Sequence, residues 1–205
     1  MPAILAKKLG MTQLFLDDGK VERVTVLEAG PCPVTAIRTF DVDGYEAAQL
    51  AFGATKEKHL SKAELGHLRK AGAPPMKHVV EFRDEAGELK VGDEVTVEAF
   101  EVGQKVKVSG ISKGKGFQGG IKRHGFSRGP VSHGSHNVRA VGSIGASATP
   151  SRVLPGRKMP GQMGNKRITQ KGLEIVRIDA GQNLLMVRGG VPGPRDGVLE
   201  VRTDA

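Results

Sequence analysis

The chain has 205 residues and a formal net charge of +9, enough for one good-sized domain or a domain with a large insertion. The charge is not spread evenly. Residues 1–100 hold 13 basic and 16 acidic side chains, residues 101–170 hold 13 and one, and residues 171–205 hold five of each, which excludes a uniformly basic surface.

The first elements in chain order are β. Ile4 to Leu16 and Val21 to Leu27 predict a hairpin, turned by Asp17-Asp-Gly-Lys20 with Gly19 free to take positive φ. Val24, Val26 and Ala29 fall on alternate or near-alternate positions and predict the half-buried face of the second strand. Pro31 and Pro33 interrupt. Val34 to Phe40 predicts the next strand, ending at an Asp43-Gly44 turn, and Tyr45 to Phe52 continues the meander. Cys32 is the only cysteine, so neither an intrachain disulfide nor a cysteine zinc site can form, and a reducing, cytoplasmic setting is expected. Met1 to Lys8 lacks the pattern of a signal peptide, and no apolar run approaches a membrane span.

Ser61-Lys-Ala-Glu64 is a capping box, and Leu60, Leu65 and Leu68 give a helical stripe that stops at Gly72, ahead of Pro74-Pro75. Met76 to Arg83 returns to β, with a turn at Glu85-Ala-Gly-Glu88. Leu89 to Val97 predicts a strand, turn and strand at the rim of a small barrel, and Lys105 to Val108 the last ordered strand before the basic run. Beyond that run, Leu173 to Ile178, Leu184 to Val187 and Val198 to Val201 predict three more strands, joined through Gly181-Gln-Asn183 and Pro192 to Gly197. Many short strands with turn signals between them point to a closed barrel made from both ends of the chain.

Between its parts runs Val102 to Leu173, 72 residues with fourteen lysines and arginines and no acid, where the average composition would place about eight. Glycine is frequent, large aliphatics are sparse, and neither helical nor strand periodicity persists. Such a segment cannot bury enough apolar surface to fold alone, and a polyanion would supply the missing order. Phosphate contacts are expected from Lys113, Lys115, Lys122, Arg123, Arg128, Arg139, Arg152, Arg157, Lys158, Lys166 and Arg167. Phe117, Phe126, His124, His133 and His136 are expected to stack on bases or donate to phosphate.

Three motifs in this run look catalytic, and each lacks what its chemistry requires. Gly114-Lys-Gly-Phe-Gln-Gly119 matches a dinucleotide fingerprint, which needs a helix at the third glycine and an acid about 20 residues on. No acid occurs before Glu174, and His124-Gly125 and Gly129-Pro130 interrupt any helix. Gly125-Phe-Ser-Arg-Gly129 matches the elbow of serine hydrolases, whose triad runs serine, acid, histidine. The first acid after Ser127 is Glu174, and the last histidine, His136, precedes it. His124, His133 and His136 have no cysteine or carboxylate nearby to complete a metal site. No cofactor, metal or small-molecule substrate is expected. A serine hydrolase at Gly125–Gly129 and a free nucleic-acid chaperone remain the alternatives.

The strings Leu5-Ala-Lys-Lys-Leu-Gly-Met-Thr-Gln-Leu-Phe15, Gly110-Ile-Ser-Lys-Gly-Lys-Gly-Phe-Gln-Gly119, Lys122-Arg-His-Gly-Phe126 and Ser132-His-Gly-Ser-His136 stand together here. So do Gly142-Ser-Ile-Gly145, Lys158-Met-Pro-Gly-Gln-Met-Gly-Asn165 and Asn183 to Gly193. Nearly end to end, the chain resembles the family of the third protein of the large ribosomal subunit, in its bacterial form. The resemblance implies a mainly β fold: a six-stranded barrel like that of translation factors, a small α+β insertion near residues 40–90 and a long basic loop. The body would be residues 1–110 and 171–205, and the extension residues 111–170. It also implies binding to large-subunit ribosomal RNA early in assembly, with large-subunit proteins fourteen and nineteen as neighbours. The loop tip, Ser143 to Pro150 and within it Ser143, Ser147, Ala148 and Thr149, would reach toward the peptidyl transferase centre. Some relatives carry a methylated glutamine in that tip, where alignment of the flanking strings puts Ala148, so that modification is not available here.

Overall fold

The computed structural model describes residues 2–16, 19–83 and 89–204. The chain divides into two compact units, one of Met1–Ile111 with Arg167–Ala205, the other of Ser112–Lys166. In chain order the first unit contains β1 (Ala3–Phe15), β2 (Val21–Ala29), β3 (Cys32–Arg38), α1 (Phe40–Asp43), β4 (Ala47–Ala54), α2 (Lys62–Lys70), β5 (Met76–Arg83), β6 (Glu94–Val95) and β7 (Lys105–Ile111). The second holds β8 (Gly116–Gln118), α3 (Gly120–His124) and β9 (Gly161–Met163). The first resumes with β10 (Arg167–Asp179), β11 (Leu184–Arg188) and β12 (Val198–Thr203).

Six strands close a barrel in the order β1-β12-β7-β10-β11-β2, with β2 pairing back to β1 and every pair antiparallel. Closure leaves no unpaired edge in this sheet. Partners across the strands share a face, so Ile4 meets Val201, Leu27 meets Leu185, and Ile175 meets Val187, all fully buried. Each such side chain contributes about 1.5–3 kcal/mol through burial. Gly110 stands opposite Leu199, and a Cβ added there would lie 2.4 Å from the Leu199 Cδ2. The barrel has no room for a side chain at that point.

The inward face of β2 differs from the expected one. Thr25, Leu27 and Ala29 are buried, with Thr25 opposite Val187 and its hydroxyl donating to the Gly189 carbonyl at 2.6 Å. Val26 is half-buried on the other face, and Val24 is buried on that face as well. The two valines are one residue out of step with Ala29, and a period of two allows only one parity inside.

β7 and β10 are longer than their apolar alternation indicates. Ser109, Gly110 and Ile111 pair with Thr169, Ile168 and Arg167, extending β7 past Val108 and starting β10 six residues before Leu173. The Ser109 and Thr169 hydroxyls lie 2.8 Å apart, and Ile111 and Ile168 are about half exposed. Backbone pairing and hydroxyl contact hold this stretch, with no apolar stripe to mark it. A register shift between Gln170 and Leu173 separates it from the rest of β10.

A second antiparallel sheet, in the order β5-β4-β3-β6, packs within the same unit. Val34, Leu50, Phe52 and Phe82 join Leu5 and Cys32 in one core with the barrel residues. Burial pushes the Cys32 thiol up to about 12, so it packs as an inert apolar group. The expected strand to Phe40 ends at Arg38. Phe40 instead opens α1, a single turn that Gly44 stops in the left-handed conformation at φ 76.

Leu89 to Val97 does not form two strands at the barrel rim. Only Glu94–Val95 pairs, with β3, and a 3-10 turn follows at Val97–Ala99. Val97 and Phe100 are buried three residues apart, a turn spacing that a strand cannot place on one face. The capping box forms as expected: Ser61 Oγ accepts from Glu64 N–H, and the Glu64 carboxylate accepts from Ser61 N–H at 2.8 Å. Leu68 then seats α2 on Ala51 and Met76. The first hairpin closes through Leu16 N–H to the Lys20 carbonyl, with Gly19 at φ 77, while Asp17, Asp18 and the Glu85–Glu88 turn lie outside the described residues.

Candidate nucleic-acid interface

Ser112–Lys166 holds its shape without a core. All of it is described, and Gly120 is its one buried residue. Its ends are laced by backbone: Ser112 N–H donates to the Lys166 carbonyl, Asn165 N–H to the Ser112 carbonyl, and Lys115 N–H to the Met163 carbonyl. β8 and β9 then pair from Gly116 with Met163 to Gln118 with Gly161. Gly164 makes this possible. Its φ is 69, and a Cβ there would lie 2.1 Å from the Lys113 carbonyl oxygen.

α3 follows at once, against the expectation that the His124-Gly125 step interrupts any helix. The step terminates the helix without preventing it: Gly125, at φ 71, caps five helical residues and donates to the Ile121 carbonyl. Two side chains tie this helix to the segment just before β9. The Arg123 Nη1 donates to the Met159 carbonyl at 2.6 Å, and the His124 Nε2 lies 2.9 Å from the same oxygen. Phe126 lies against Gly120, where a Cβ would come within 2.7 Å of its ring, and its centroid is 5.8 Å from that of His124. Small residues and carbonyls take the place that apolar side chains occupy in the barrel.

The cations sort into three groups. Arg123 and His124 are half-buried on Met159, and Phe126 is half-buried beside them. Arg157 is exposed and donates through Nη2 to the Ser143 carbonyl. Lys113, Lys115, Lys122, Arg128, Arg139, Arg152, Lys158 and Lys166 are exposed, as are His133, His136 and Phe117, the last with 76% of its surface open. Arg167 belongs to the other unit, in β10, where it pairs with Glu200. The unit therefore carries ten lysines and arginines with no carboxylate of its own. Ser143, Ser147, Ala148 and Thr149 are exposed on an uncharged stretch, where the Ser143 hydroxyl donates to the Gly145 carbonyl.

This arrangement fits phosphate neutralisation better than bond-making. Ser127 is exposed in an irregular segment after α3, whereas a nucleophile elbow sits between a strand and a following helix. Among the described residues no three histidines, cysteines or carboxylates are grouped to hold a metal, and no helix is long and apolar enough to cross a membrane. Like charges held on a coreless scaffold repel, and a polyanion relieves that repulsion while releasing counterions.

The sequence model of a family described as Ribosomal protein L3 matches residues 53–185. A large ribosomal subunit protein uL3 from Prochlorococcus marinus (strain MIT 9515) is 55% identical over 200 residues, covering 97% of this chain and 92% of that protein. The uL3 of Synechococcus elongatus is 53% identical over 199 residues, covering 97% and 93%.

Proposed function

The chain belongs to the ribosomal protein L3 family, and on that premise we propose that Ser112–Lys166 is the part that grips large-subunit ribosomal RNA. The protein is a structural constituent of the large ribosomal subunit, not an enzyme, and it works in the ribosome, which in bacteria is cytoplasmic. One observation carries the assignment of the RNA contact to this unit: ten cations and no carboxylate on a segment whose single buried residue is a glycine.

The exposed lysines and arginines bind phosphates, and Phe117, His133 and His136 meet unpaired bases. Arg123 and His124 act mainly within the unit, holding α3 against Met159. Gripping RNA in this way nucleates early assembly of the subunit. The uncharged stretch with Ser143, Ser147, Ala148 and Thr149 extends toward the peptidyl transferase centre, filling space there without a group that titrates near neutral pH. The barrel body meets neighbouring subunit proteins, the fourteenth and nineteenth among them. The tip and neighbour assignments rest on the family resemblance.

The test is a residue-by-residue map of protein–RNA crosslinks in purified large subunits. Crosslinks concentrated at Lys113, Lys115, Lys122, Arg128, Arg139 and Lys158 are expected. Crosslinks confined to the barrel would contradict the assignment, and a protein absent from stoichiometric particles would favour a free chaperone.

A further inference from the structure

We propose that Ser112–Lys166 contains a pocket for one unstacked nucleotide of an RNA, a site that rests on the RNA-binding reading above and specifies where a base is held. A cavity of about 540 Å3 is lined by Phe126, Ser127, Ala140, Val141, Arg157 and Lys158. That volume lies within the range of small-molecule sites, roughly 300–1,000 Å3.

The lining has two kinds of wall. Phe126, Ala140 and Val141 are apolar, while Arg157 and Lys158 bring two adjacent cations and Ser127 a hydroxyl. A nucleotide divides its surface in the same way, with a flat apolar base, a hydrogen-bonding edge and an anionic phosphate. A lone inorganic anion would leave the apolar wall facing water. A purely apolar ligand would desolvate two cations without pairing them. A cationic ligand meets no carboxylate anywhere in the unit.

The pocket is formed before any ligand arrives. Phe126 is fixed by its contact with Gly120, and its N–H donates to the Gly120 carbonyl at 3.4 Å. Arg157 is set by a turn, its N–H donating to the Leu154 carbonyl, and by its bond to the Ser143 carbonyl. A guanidinium has five N–H donors, so donors remain for a phosphate or a base edge. The other exposed cations of the unit favour an RNA chain over a free nucleotide, because a chain supplies flanking phosphates for them.

The experiment uses the full chain and three probes: an RNA hairpin with one bulged 2-aminopurine, the same hairpin fully paired, and AMP. The bulged RNA should bind about tenfold more tightly than the paired one, with a change in 2-aminopurine fluorescence as the base leaves the RNA for the pocket. AMP should bind at least about a hundredfold more weakly, lacking the flanking phosphates. Ala140→Trp, which fills the cavity from an exposed position, should remove the preference for the bulge. Phe126→Leu retains an apolar side chain at the Gly120 contact but loses the flat ring, and should cut the preference to about threefold. Salt-dependent binding of both hairpins with equal affinity would overturn the pocket and leave the RNA-binding reading standing. Absence of salt-dependent binding to either would overturn that reading, and the pocket with it. AMP binding as tightly as the bulged RNA would overturn the RNA source in favour of a free nucleotide. A preference that survives Ala140→Trp would overturn the location.

Discussion

The barrel and the Ser112–Lys166 unit come from one chain and reach order by different means. In the barrel, Ile4, Leu27, Leu185, Val187 and Val201 are fully buried, and surface charges are answered across strands, as Arg188 is by Glu22 and Glu174. In Ser112–Lys166, backbone bonds and side-chain-to-carbonyl contacts such as Arg123 to Met159 replace the core, and no carboxylate answers the cations. The first part is stable because it removes apolar surface from water. The second leaves its charge unspent for a partner. On the proposed reading, stability and binding are divided between segments and can be perturbed separately.

The largest effect should come from charge. Changing Lys113, Lys115, Lys122 and Arg128 together to Ala should make the slope of log affinity for RNA against log salt shallower by about 3, near 0.7–0.9 for each phosphate left without its cation. Arg123 is left intact because it is engaged with Met159. An unchanged slope from filter binding at several salt concentrations would break the comparison on the binding side.

The stability side is next in size. Leu185→Ala should cost about 3 kcal/mol in denaturant unfolding, since Leu185 is fully buried in the barrel. Leu154→Ala, in a residue 59% exposed in the other unit, should cost less than about 0.5 kcal/mol. Equal costs would mean that Ser112–Lys166 has packing comparable to the barrel.

A smaller effect concerns acid. The Glu81 carboxylate accepts from the Tyr45 hydroxyl at 2.8 Å, from Arg38 and from Gln49, and these bonds, Tyr45's foremost, hold its carboxyl below the usual range. A lowered carboxyl contributes stability above its unfolded value, about 4.3, and loses it as pH falls through the lower folded value. Glu81→Gln should therefore flatten the fall in Tm below about pH 4.5 while costing under about 1 kcal/mol at neutral pH. A fall as steep as in the parent would exclude Glu81 as a source of acid sensitivity. Ser112–Lys166 holds no carboxylate, so this source of acid loss is confined to the body.

What the sequence revealed follows the same division. The capping box at Ser61 and Glu64 and the Leu60 and Leu68 contacts were legible because local chemistry and period agree there. The β2 face was misjudged because Thr25, polar by type, takes the position opposite Val187, while Val24, equally buried, shares the other face with half-buried Val26. The ends of β7 and β10 were missed because Ser109, Thr169 and half-exposed isoleucines carry no alternation. Within the candidate interface the charge pattern was plain, but the fold was not. α3, β8 and β9 depend on close approaches at Gly120 and Gly164 and on the Met159 carbonyl, which leave no apolar period. Ala140 and Val141, neither charged nor aromatic, gave no signal as pocket walls.

The division itself is tested by removing one side of it. Ile111 and Arg167 are direct partners across β7 and β10, so residues 112–166 can be replaced by a two-residue Asn-Gly turn. RNA affinity and thermal unfolding of this shortened chain would be measured beside the full chain at several salt concentrations. A folded barrel with nearly unchanged Tm, and a loss of RNA affinity of about a hundredfold or more with a flattened salt slope, is the predicted result. A shortened chain that fails to fold, or that keeps its affinity and its salt slope, would contradict the separation of stability from binding.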